Sequence, residues 1–214
     1  MLWRGRKKSN QIFIKAINAG FGDCGAKTID EQWTACAGVN IRQDPATKLF
    51  HWTCAKAIKE ALAKHAASNL KPKKTPAPGA LAVTKHETAP EGERDQHLVK
   101  RYLSRMGSLN YVVTVGRVDT AVICNQLSAV MAGPSPQHFE MQTNVLAYLK
   151  HTAGMYLQWD PAMSPVRLNQ LYYYTDGSFA GEHLQSRLGV VAMLNGGMVN
   201  DRIKTGKIHV LRRL

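Results

Sequence analysis

Tyr172-Tyr-Tyr-Thr-Asp-Gly-Ser-Phe-Ala-Gly181 is the stretch on which the fold turns. Its aromatic, β-prone run carries one carboxylate, Asp176, at the end of a strand, and Gly-Ser then opens a turn. A second apolar run with a turn of its own follows, Gly189-Val-Val-Ala-Met-Leu-Asn-Gly-Gly-Met-Val199. Together they predict a β-hairpin that holds Asp176 in register. Asp176 is the best candidate for a metal ligand in the chain, although an Asp before Gly is also a common turn residue. Taken alone, the residues favour the turn. Glu182 and Asp201 are the only later acids, and neither lies on a stretch with helical periodicity.

The 214 residues suit one domain of ordinary size or two small ones, and 44% hydrophobic content can fill a core. A net charge of +13 points to a polyanionic partner, nucleic acid above all. The excess is mostly N-terminal: residues 1–74 hold fourteen Lys and Arg against five Asp and Glu. Cys24, Cys36, Cys54 and Cys124 show no Cys-x-x-Cys spacing, which argues against zinc and for idle thiols in a reducing compartment. No apolar run reaches the roughly 18 to 20 residues of a membrane span, so no membrane partner is expected. The run Met1-Leu-Trp-Arg-Gly-Arg-Lys-Lys8 lacks a following apolar segment and reads as an exposed basic arm. An intracellular location, nuclear or cytoplasmic rather than secreted, is the expectation.

Going along the chain, residues 12–21 fit a short helix or strand, broken by the glycines from Gly20 onward. Residues 32–52 predict two short strands around the turn Asp44-Pro-Ala-Thr47. Thr53 can cap a helix from Cys54 to His65 with Ala55, Ile58, Ala61, Leu62 and His65 on one stripe. Lys56, Lys59 and Lys64 lie off that stripe, as a phosphate-facing or simply solvated side. Residues 71–94 form a Pro/Gly linker. Asp95 then opens a helix with Leu98, Val99, Tyr102, Leu103 and Met106 on one side and Lys100, Arg101 and Arg105 on its flank. Past Gly107, residues 109–115 can extend the helix or break into a strand; the β-branched valines favour the strand, and tertiary packing can override them. Asp119 can cap the next helix, and Ser135-Pro136 starts another that runs to Gly154. Three successive helices with short turns should pack on one another through their apolar stripes.

Four blocks in this order resemble the reverse transcriptase and RNase H region of copia-type LTR retrotransposon polyproteins. They are residues 38–45 with the helix after them; Gly107-Ser-Leu-Asn-Tyr111 with Arg117, Asp119, Ala121 and Leu127-Ser128; His138 with Val145-Leu-Ala-Tyr-Leu-Lys-His-Thr152; and Tyr174-Thr-Asp-Gly-Ser-Phe-Ala-Gly181 with Arg187 and Leu194-Asn-Gly-Gly-Met-Val199. The resemblance implies an α+β fold of four segments. Residues 1–70 would be a basic arm, a primer-gripping hairpin and a helix, and 71–94 the linker. Residues 95–160 would form a helical thumb or connection, and 161–214 the opening of an RNase H sheet. It makes Asp176 the first magnesium-binding aspartate of RNase H. Departures are Val118 for Pro, His151 for Gly and Asn200 for Trp, and no Asp-Asp pair exists for the polymerase.

Both parent reactions need two Mg²⁺ ions about 3.5 to 4 Å apart, held by several carboxylates. Asp176 alone cannot hold them, and the family's later RNase H carboxylates would lie beyond Leu214. The expected protein is therefore an inactive fragment that still binds an RNA-DNA hybrid or duplex through Lys56, Lys59, Lys64, Lys100, Arg101 and Arg105. The alternatives are an RNase H-type nuclease completed by another chain and a repurposed structural subunit. An incomplete sheet would expose an apolar face and an unpaired edge for another chain to cover.

Overall fold

A computed structural model describes residues 7–22, 31–36, 38–77, 94–167, 169–178 and 186–206, with positions 29, 88, 90 and 92. Helix α1 spans Lys7–Phe21. The ambiguous stretch is thus helical, and the helix continues through Gly20 before Gly22 ends it at φ 78°.

Strands β1 (Thr34–Cys36), β2 (Val39–Gln43) and β3 (Phe50–Thr53) form an antiparallel meander. The Asp-Pro turn joins β2 to β3 as predicted. Asp44 Oδ1 accepts hydrogen bonds from the Thr47 amide at 2.8 Å, the Thr47 hydroxyl at 3.0 Å and the Ala46 amide at 3.0 Å, which hold its carboxyl below the usual carboxylate range. The predicted hairpin is only part of a larger sheet, because β4 (Leu157–Trp159) pairs with β3 from a hundred residues downstream. A row of side chains links Trp33, just before β1, through Arg42 of β2 and the buried His51 of β3 to Tyr156, just before β4. Arg42 lies 4.9 Å from the Trp33 ring, its Nε is 3.4 Å from His51 Nδ1, and His51 stacks on Tyr156 at 4.5 Å.

Helix α2 (Ala55–Lys64) follows directly. Its N-cap is Cys54, with no capping side chain. Thr53 sits one residue too early to cap, because it still belongs to β3, although its Oγ1 accepts the Ala55 amide at 3.2 Å. Asp95 does cap α3 (Gln96–Thr114), accepting from His97 and Leu98. Of the two readings past Gly107, the strand favoured by the valines does not form and the helical one does: α3 runs on through the valines. Tyr102, Met106, Leu109 and Val112 form one fully buried stripe. Each such side chain gains about 1.5 to 3 kcal/mol on burial, against about half a kcal/mol of helix propensity lost per valine, so packing wins. Helix α4 spans Ala121–Ser128 and α5 spans Pro136–His151. Ser135 and His138 make a reciprocal capping box at the start of α5. Asp119 caps nothing; the N-cap of α4 is Thr120, and Asp119 is engaged elsewhere.

One core joins these pieces. Val39 and Ile41 of the sheet, Ile58 and Leu62 of α2, and Tyr102, Leu127, Val145 and Leu149 of the later helices share a single buried cluster. The residues before and after the Pro/Gly stretch are therefore one packing unit, and Trp52 Nε1 donates to the Val115 carbonyl at 2.7 Å across it. Cys54 and Cys124 lie inside, and burial pushes their thiols up, that of Cys124 to about 12, so both are poor nucleophiles.

A second antiparallel sheet consists of β5 (Leu171–Ser178), β6 (Ser186–Leu194) and β7 (Gly197–Gly206). Asn195 and Gly196, both at positive φ, make the tight turn between β6 and β7. β5 does not stop at Asp176 but runs on through Ser178, with Asp176 opposite Gly189. Gly197 lies directly beneath the Trp159 indole of the first sheet, where a Cβ would overlap the ring. Gly197→Ala is expected to cost about 2 kcal/mol as an overpacked contact, read as a shift in the urea midpoint with an unchanged slope.

Candidate nucleic-acid interface

Helices α2 and α3 meet near the C-terminus of α2, and three of the six expected basic residues, Lys64, Arg101 and Arg105, gather there. His65, the C-cap of α2, lies with Nε2 2.9 Å from Ser108 Oγ of α3. It was expected on the apolar stripe, but position 65 is where the helix ends, and it turns toward α3 instead. One turn back on α3, Arg105 donates from Nη1 to Thr143 Oγ1 of α5 at 2.8 Å. Its guanidinium carbon is 3.9 Å from the Phe139 ring centre, and Arg101 reaches the same ring at 4.9 Å. Two arginines thus lean on one aromatic ring, which orients both forks at little entropic cost.

Like charges crowd this corner. Burial first, and then the neighbouring Arg101, lower the pKa of Arg105. Burial, then Lys64, then Arg105 lower that of His65. Every charged neighbour acting on the two groups is a cation. The ion pairs among the described residues are Lys56–Glu60 and Arg117–Asp119, so no described carboxylate pairs with Lys64, Arg101 or Arg105. Phosphates would supply the missing charge.

The remaining expected residues stand apart. Lys56 is exposed and 3.9 Å from Glu60. Lys59 is exposed on α2, and Lys100 lies about 100° around α3 from Arg101. Sequence reasoning missed His65, Phe139 and Thr143, since nothing in the helical periodicity of α5 announces a partner for an arginine on α3.

Asp176 belongs to a different surface. It is exposed on β5, an open edge of the second sheet, and the cross-strand row through it runs to Gly189 and Ile203. Asp201 is two residues along β7 from that row. No group of three His, Cys, Asp or Glu able to hold a metal occurs among the described residues, so the described residues around Asp176 do not by themselves complete a two-magnesium site. Glu182 lies outside the described residues.

The two motif blocks around Arg117 and Tyr148 converge on a buried polar node. Arg117, 3% exposed, donates to both carboxylate oxygens of Asp119, at 2.9 Å from Nε and 2.7 Å from Nη2. It also reaches the Thr152 hydroxyl and carbonyl at 2.6 and 3.2 Å. Tyr148 OH donates to Asp119 Oδ2 at 2.7 Å. Every member is engaged inside the fold, so this is architecture and not a binding site. Val118 in place of proline leaves the short 3₁₀ turn Val118–Thr120 intact.

No described helix is long and apolar enough to cross a membrane. No protein-family model and no solved structure matches the chain. It is 34% identical over 105 residues to the secreted RxLR effector protein 161 of Plasmopara viticola, covering 48% of this chain and 71% of that protein. It is 27% identical over 177 residues to the retrovirus-related Pol polyprotein from transposon TNT 1-94 of Nicotiana tabacum, covering 81% of this chain. The chain spans only 13% of that polyprotein's length. Sharing an origin with a retrotransposon Pol polyprotein, the chain belongs to the same family as the Plasmopara viticola protein.

Proposed function

We propose that the chain is a reverse transcriptase and RNase H fragment of a copia-type polyprotein that keeps nucleic-acid binding and performs no phosphoryl transfer by itself. In this reading α3 to α5 form the thumb-like region, and β5 to β7 are the opening strands of an RNase H sheet. The observation that carries the binding is the meeting of Lys64, His65, Arg101 and Arg105 at one corner with no acid paired to them among the described residues. A face built this way grips phosphates and reads the A-like shape of an RNA-DNA hybrid without reading bases. The inactivity rests on Asp176, which belongs to no group of three or more His, Cys, Asp or Glu able to hold a metal among the described residues.

The test is binding to a fluorescent RNA-DNA hybrid over a salt series with Mg²⁺ present. The expected result is binding whose logarithm falls linearly with log salt, and a hybrid that stays intact. Hybrid cleavage abolished by Asp176→Asn would overturn the inactivity. Absence of binding at low salt would overturn the binding role and favour a subunit of a larger assembly. That second reading draws on β5, whose open edge exposes Leu171, Tyr173 and Tyr174.

A further inference from the structure

His65 stands where the cations meet, yet fixing a phosphate needs only permanent charges, and those Lys64 and the arginines already supply. The imidazole is partly buried, with Nε2 held by Ser108 Oγ, which leaves Nδ1 as the nitrogen open to a ligand. The charged groups facing it are Lys64 on α2 and Arg105 on α3, both cations, while α5 adds only the neutral Thr143 hydroxyl and the Phe139 ring through Arg105. In the free protein this setting keeps the ring neutral at pH 7. A phosphate lodged between Lys64 and Arg105 reverses two of the three influences on it, because it cancels both cations and adds its own negative charge.

Resting on the polyanion-binding reading of this corner, we propose that His65 is a proton-linked phosphate ligand, taking one proton from solvent on binding and donating from Nδ1–H to a phosphate oxygen. The sign follows from linkage. The bound state raises the pKa of His65 above its free value, which lies under the ordinary 6.5. Affinity therefore rises as pH falls through the bound-state value and levels off below the free-state value. A bound-state value one unit above the free one makes the gain about tenfold.

Calorimetry of hybrid binding near pH 6.5, in two buffers of different ionisation enthalpy, measures the proton taken up. Affinities from pH 8 to 5.5 are compared between the wild type, His65→Gln and His65→Lys. Because the chain holds eight histidines, the difference between proteins is the readout. The expected results are proton uptake in the wild type, a reduced uptake and flatter pH profile in His65→Gln, and pH-independent tight binding at this position in His65→Lys. Binding without proton uptake by the wild type, or identical profiles for wild type and His65→Gln, would overturn the inference while leaving the basic corner as a binding site. No binding at any pH would overturn both.

Discussion

Asp119→Ala will destabilise the fold by about 3 to 5 kcal/mol, because it strips the counter-charge from a guanidinium that is only 3% exposed. Arg117 cannot shed its proton, so the substitution leaves a buried charge with the Thr152 oxygens and the face of the Tyr148 ring but no counter-charge. The converse change, Arg117→Ala, is expected to cost less. The Asp119 side chain is 30% exposed and can take up water while keeping the Tyr148 hydroxyl. The double substitution should cost less than the sum of the two, since each single change orphans the other partner. Urea unfolding of the three proteins measures all of this, and a loss below about 1 kcal/mol for Asp119→Ala would mean that solvent already screens the pair.

The same node sets an acid limit. Burial, the largest influence on Asp119, pushes its pKa up, but the hydrogen bonds from Arg117 and Tyr148 together pull it below the ordinary 3.8. A depressed folded-state value contributes stability that is present above the unfolded pKa and is lost as pH falls through the folded one. The contribution of Asp119 should therefore begin to fall as pH drops below about 3.8 and be gone below the folded-state value, and Asp119→Asn should flatten the stability profile in that window while lowering it at neutral pH.

Replacing Lys64, Arg101 and Arg105 together by Gln will weaken hybrid binding at low salt on the order of a hundredfold and make the salt slope shallower by about 2 to 3. Gln keeps part of the contact with Phe139 and Thr143, so the fold is expected to survive with a loss of about 1 kcal/mol. The companion variant Lys59→Gln with Lys100→Gln removes two exposed charges that lie away from the corner, and should lower affinity only a few-fold. Equal losses in the two variants would mean that binding follows the net charge and not this geometry.

The sequence alone determined the elements whose signals are local. Asp95 and Ser135-Pro136 place two helix starts because a cap needs only the next three residues. Asp44-Pro45 and the Asn195-Gly196 turn place two hairpins because turn chemistry is equally short-range. The order of motif blocks carried the relation to a transposon polyprotein.

What the tertiary structure decided was everything that depends on a distant partner. Burial of Leu109 and Val112 overrode the β-preference of the valines and carried α3 past Gly107. The ion pair with Arg117 and the Tyr148 hydroxyl drew Asp119 away from capping. Pairing with β4, which follows β3 by about a hundred residues in the chain, turned a hairpin into a four-stranded sheet. At the candidate site, the charges were visible as letters, but periodicity could not show that Lys64, His65, Arg101 and Arg105 share a corner while Lys56, Lys59 and Lys100 do not. Which side chains meet between helices depends on how the helices cross, and that is fixed by the core they bury together.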